Sequence, residues 1–172
     1  MFPITYQRRF IYAVQGDVHW TADKLRTEIL LDLEREGARN VTASGKQIRF
    51  RGKFWSLDWP KLHFVYGLSS GEVEVDCWDH YLGVGYQISF VDWLISFLVW
   101  IGWGILMSLL SKSTLIQALG ALTILCYMFG VAYAINVAWT CYFFNRFMEN
   151  RLNTFFSSMA YLGIQGKLLA LR

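Results

Sequence analysis

The sequence predicts an α+β domain, one helix on an antiparallel sheet, followed by a two-helix transmembrane hairpin and a C-terminal amphipathic helix. Three observations carry that reading. Charge is confined to the first half: 11 of the 16 Lys and Arg and 11 of the 13 Asp and Glu of this 172-residue chain precede Gln87. Two later runs, 88–110 and 115–144, hold a single charged residue between them, Asp92. About 20 predominantly apolar residues suffice to cross a bilayer as a helix, and both runs exceed that length. Before Gln87, short β-rich segments separated by Gly and Ser turns surround one segment of helical periodicity.

Residues 1–87 are read as the cytosolic domain. Residues 6–15 are β-rich and stop at Gly16-Asp17, which marks a strand. Leu25, Ile29, Leu30 and Leu33 recur at helical spacing up to Gly37, so a helix is expected over 22–36 with Thr21 as its cap. Ser44-Gly45 suits a turn between strands at 41–43 and 47–51. Further strands are expected at 61–66, 72–78 and 81–88, with a turn at 68–71. A helix laid on one face of such a sheet buries both apolar surfaces.

Charge adds detail to the strands. Arg49, Arg51 and Lys53 share one face of one strand, and Glu72, Glu74 and Asp76 share one face of another, because side chains at period two point the same way. If the strands are neighbours, the two stripes can pair across the sheet. Otherwise Arg49, Arg51 and Lys53 form a partner-binding face.

The hairpin occupies 88–144, with spans at about 88–110 and 115–144 joined by the polar turn Ser111-Lys112-Ser113-Thr114. Antiparallel neighbours are the arrangement so short a link allows. The C-terminal flank carries Arg146, Arg151, Lys167 and Arg172, against Lys112 alone in the turn, so both termini are expected in the cytosol. The N-terminus lacks the pattern of a signal peptide, which favours the same orientation. A bacterial inner membrane would suit so compact a layout. Cys126, Gly130, Ala134 and Ala138 follow one another at i+4, a small-residue stripe that lets two helix backbones approach closely. It serves either packing against the first span or association with a second copy or another membrane subunit. Asp92 and Asn136 are the candidate intramembrane polar site. Asp92 falls in the first turns of its span, where an interfacial or helix-capping role competes with a proton or ion role. In the tail, 145–172, apolar residues from Phe147 to Leu162 recur at helical spacing, which suits an amphipathic helix on the bilayer or on the domain.

Chemistry is sparse. Three cysteines make no disulfide framework. Cys77 and His80 have a C-x-x-H spacing without a second pair to complete a zinc site. Cys77 with His63 or His80 could form a nucleophile and base, which spacing alone does not establish. The spans lack histidine for bis-histidine haem, and neither Gly83-Val84-Gly85 nor Ser44-Gly45-Lys46 completes a nucleotide fingerprint. No catalytic residue, metal or cofactor is therefore expected, and the near-neutral domain suggests no nucleic-acid partner. The expected function is a non-enzymatic accessory or scaffold subunit of a membrane assembly. Its hairpin anchors and oligomerises in the lipid bilayer, and its domain binds a protein or small ligand. A ligand-gated sensor that clusters and permeabilises the membrane is the alternative, and a membrane enzyme is a third.

Overall fold

The computed structural model describes residues 5–52, 68–110, 115–161 and 163–171. The strand expected at 61–66, together with Lys53 and His63, lies outside them. The elements run β1 (Thr5–Gln15), α1 (Val18–Arg35), β2 (Arg39–Ser44), β3 (Gln47–Arg51), β4 (Ser70–Trp78), β5 (Tyr81–Ser89), α2 (Val91–Leu110), α3 (Leu115–Ala160) and β6 (Gln165–Leu171). An antiparallel sheet with helices thus precedes and flanks two long apolar helices.

The strands form one sheet in the order β2-β3-β4-β5-β1-β6, with every pair antiparallel. Alternation decides its two faces. Phe10, Tyr12 and Val14 of β1, Leu82, Val84, Tyr86 and Ile88 of β5, Val73 and Val75 of β4, and Ile48 and Phe50 of β3 are all buried on one side. The intervening residues, among them Gln7, Arg9, Gln47, Arg49, Glu72, Glu74 and Gln87, face the other way, exposed or half-buried, and no described helix covers them.

Two helices cover the apolar face. α1 contributes Val18, Ala22, Leu25, Ile29 and Leu33 at helical spacing. Its N-cap is Asp17 rather than Thr21. The Asp17 carboxylate accepts from the His19 and Trp20 amides, both at 3.0 Å. Thr21 lies inside the first turn and its hydroxyl donates back to the Asp17 carbonyl. An Asx cap that satisfies two orphan amides outcompetes a Thr with a good residue four positions upstream.

The second cover is the C-terminal half of α3. From Val137 onwards this helix buries one side chain per turn: Thr140, Phe144, Met148, Leu152, Phe155 and Met159. Fully burying such a side chain is worth about 1.5–3 kcal/mol, so this row is a principal part of the core. Phe144 stacks on Phe50 at 6.0 Å and meets Tyr86 at 4.8 Å. Polar clips reinforce the docking. Arg151 pairs with both Glu28 and Asp32 of α1, Arg8 pairs with Glu149 at 3.2 Å, and the Tyr86 hydroxyl donates to Asn145 at 2.9 Å.

The expected tail helix therefore exists as the continuation of α3, and it rests on the domain. The chain then turns at Gly163, whose φ of +76° suits glycine, and β6 adds to the free edge of β1. That final strand lies beyond the helical spacing that ends at Leu162 and was not expected. Gly166 is required where it joins, because a Cβ there would stand 2.2 Å from the Phe156 ring.

α2 and the first half of α3 leave the sheet side by side. Ring contacts of Phe90 and Trp93 with Tyr133, and of Phe97 and Trp100 with Phe129, show that they run in opposite senses. Each contains a window long and apolar enough to cross a membrane. Their outer surfaces are apolar and open: Leu98, Val99, Trp103, Ile124, Met128 and Ile135 are all exposed.

Candidate functional site

The uncovered sheet face is built of cross-strand rows. Register places Gln7, Gln87, Glu72 and Arg49 in one row, and Arg9, Gly85, Glu74 and Gln47 in the next. Gly85 leaves a gap in the second row, since a Cβ there would have no neighbour nearer than 3.9 Å. Around that gap lies an open cavity of about 410 Å³ lined by Gln7, Arg9, Glu72, Glu74, Gly85 and Gln87, with Arg8 and Tyr86 at its margin. It offers a guanidinium on one wall, two carboxylates on the other and two amides at the end. Such a set suits a polar ligand or peptide that carries both charge signs.

The surrounding charges are partly engaged. Arg49 donates to Glu72 at 3.3 Å and to Gln47 at 3.1 Å, so the basic and acidic stripes meet across β3 and β4. Arg49 is thus held within the sheet rather than presented alone. Arg51 lies opposite Ser70 and is exposed. Asp76 binds Lys46 at 2.5 Å and lies 3.7 Å from Arg9. The Lys46 hydrogen bond holds the Asp76 carboxyl below its usual range, and the same contact pushes the Lys46 ammonium above its own. Arg9 also lies over the Trp78 ring at 5.5 Å, and that ring covers Gly83.

At the end of the sheet away from α2, Cys77 Sγ lies 3.3 Å from His19 Nδ1. Sequence spacing had directed attention to His63 and His80. The pairing was missed because 58 residues separate the partners, and only the seating of α1 against β4 joins them. His80 sits in the β4–β5 turn, where its carbonyl accepts from the Val14 amide. Among the described residues, no group of three or more His, Cys, Asp or Glu is placed to hold a metal ion.

The remaining candidate residues fall on the two apolar helices. Asp92 is in the first turn of α2, where its amide donates to Ser69 Oγ at 2.7 Å and its carbonyl accepts from Ser96. Asn136 lies about one turn beyond Tyr133 on α3, half-buried. Cys126, Gly130 and Ala134 are half-buried and Ala138 is exposed. A Cβ on Gly130 would meet nothing within 4 Å, whereas Phe129 and Tyr133 carry the ring contacts with α2. Comparison with protein-family models, with curated proteins and with solved structures finds no match to this chain.

Proposed function

We propose that this chain is a small integral membrane protein, with α2 and the first half of α3 forming a transmembrane hairpin, and that it serves as an accessory or scaffold subunit of a membrane assembly. The observation that carries the reading is the apolar outer surface of those two helices combined with their shared root. The largest apolar patch on a typical soluble monomer is about 300–600 Å². Here exposed apolar side chains follow one another along two adjacent helices, from Val91 to Leu110 and from Leu119 to Tyr142. α2 has 20 residues, about 30 Å at 1.5 Å per residue, which matches a hydrocarbon core.

The shared root supports the topology. β5 feeds α2, and the C-terminal half of α3 returns to the same sheet. A domain that holds both ends of the pair keeps both chain termini on one side of the membrane. The excess of Arg and Lys on that side favours the cytosol. The uncovered sheet face, with its mixed-charge cavity, is the surface left for a protein or small ligand. The small-residue stripe, open at Gly130 and exposed at Ala138, supports close approach of a second helix from a copy or a partner subunit.

Alkaline carbonate extraction tests insertion. The chain should stay with the membranes, and a Leu98→Asp, Ile124→Asp double variant should be released. Recovery of the parent chain in the supernatant would end the proposal. Native mass in lipid nanodiscs, with identification of co-purifying chains, tests the assembly role. A lone monomer at native expression counts against it.

A further inference from the structure

We propose that Cys77 and His19 form a reactive thiol pair, a site at which small disulfides modify this protein covalently. The two side chains come from separate elements, β4 and the first turn of α1, and meet at 3.3 Å between Sγ and Nδ1. A thiol within hydrogen-bond reach of an imidazole has a built-in proton acceptor, and the thiolate is the nucleophilic form. Cys77 meets the first turn of α1 through the His19 ring. Asp76, the neighbouring residue, accepts from the Cys77 amide and pairs with Lys46 and Arg9.

Access fits the same role. Cys77 is half-buried, His19 is exposed, and both lie at the end of the sheet opposite the start of α2. A dissolved reagent reaches them without crossing the apolar surface. The two other cysteines, Cys126 and Cys141, lie on α3 among apolar neighbours. The α1–β4 packing therefore selects one thiol of three.

The step balances as thiol–disulfide exchange. His19 Nδ1 takes the thiol proton. The Cys77 sulfur attacks one sulfur of a small disulfide, a new S–S bond forms, and the old one breaks. The departing thiolate takes the proton back from the imidazolium. Cys77 is oxidised to a mixed disulfide while half of the reagent is reduced to its thiol. A reducing thiol reverses the exchange.

The test uses full-length protein in detergent with Cys126→Ser and Cys141→Ser, so that Cys77 is the only thiol. The probe is neutral 4,4′-dithiodipyridine at pH 7, followed by release of thiopyridone, with mass spectrometry to confirm the adduct. His19→Phe and His19→Gln should each slow the reaction about tenfold or more, with helix content unchanged by circular dichroism. Rates within twofold of the parent in both variants would overturn the proposal. So would recovery of the parent rate in His19→Gln, because glutamine offers a polar contact without a proton acceptor of comparable basicity.

Discussion

Replacing Arg151 by Met should loosen α1 from α3 without emptying the space between them. Arg151 reaches both Glu28 and Asp32, and the three side chains keep only 23%, 28% and 13% of their exposure. Exposed ion pairs contribute about 0.2–1 kcal/mol each. Breaking a fully buried pair costs about 3–5 kcal/mol, because a charge is left without compensation. Groups mostly shielded but not sealed fall between, so about 1.5–3 kcal/mol is expected for this double contact. Methionine retains most of the volume of the arginine stem, which limits the packing loss. At 1.4 kcal/mol per factor of ten, the opening equilibrium of α1 should rise about 10- to 150-fold. Hydrogen exchange read by mass spectrometry over residues 24–35, on the full chain in detergent, measures it. Adding Asp32→Asn to the Met variant should recover part of the loss, since the orphaned carboxylate is its main source. A change of less than twofold in the single variant would show that the clamp is an ordinary surface contact and refute the reasoning.

Other outcomes follow from individual contacts. Gly71→Ala places a Cβ 2.2 Å from the Phe50 ring, which itself stacks on Phe144; thermal melting should show a loss of about 1–3 kcal/mol. A Cβ at Gly130 meets nothing within 4 Å, so Gly130→Ala should leave the melting temperature unchanged, while the bulkier Gly130→Leu should shift native mass in nanodiscs to smaller species if the stripe joins copies. Asp76 is held below its ordinary value of 3.8, so its contribution is whole above about pH 4 and is lost as pH falls through the depressed value. The difference in melting temperature between wild type and Asp76→Asn should accordingly shrink towards zero on acidification. Burial, then the Glu149 charge, pushes the Tyr12 phenol up to about 12. The unfolded chain ionises first, so stability should fall by up to about 2–3 kcal/mol between pH 10 and 12, and Tyr12→Phe should flatten that slope.

Local periodicity made most of the domain readable. β1, β3, β4 and β5 alternate over whole strands, and α1 shows its apolar spacing from Leu25 to Leu33, so their types and approximate limits follow from the residues alone. What escaped depends on partners distant in sequence. The strand β6 has no alternation of its own, because Lys167-Leu168-Leu169-Ala170-Leu171 reads equally as a helix end; it becomes a strand only because β1 offers a free edge. Along α3 the apolar residues go from covering all sides to forming one stripe beyond Val137, which is why this one helix reads as a span and a separate tail. The charge stripes on β3 and β4 were visible, but their pairing required the register. The gap at Gly85 and the Cys77–His19 contact were invisible for the same reason: each is made by neighbours that tertiary structure alone supplies.

The position of β6 beside β1 has a consequence for how the molecule is made. Gln15 and Gln165 are register partners 150 positions apart (165 − 15). At roughly 5–20 residues per second, synthesis of that interval takes about 8–30 s. Throughout that time β1 has one edge without its final neighbour, and both apolar helices emerge before the sheet can close. Contacts of such long range are slow to form and leave strand edges open to other chains. Arg8 and Arg9 lie just before the stretch of β1 that β6 covers, Phe10 to Gln15, and two adjacent charges beside that edge disfavour pairing with a second nascent copy. The sheet therefore cannot be completed until both apolar helices have been made.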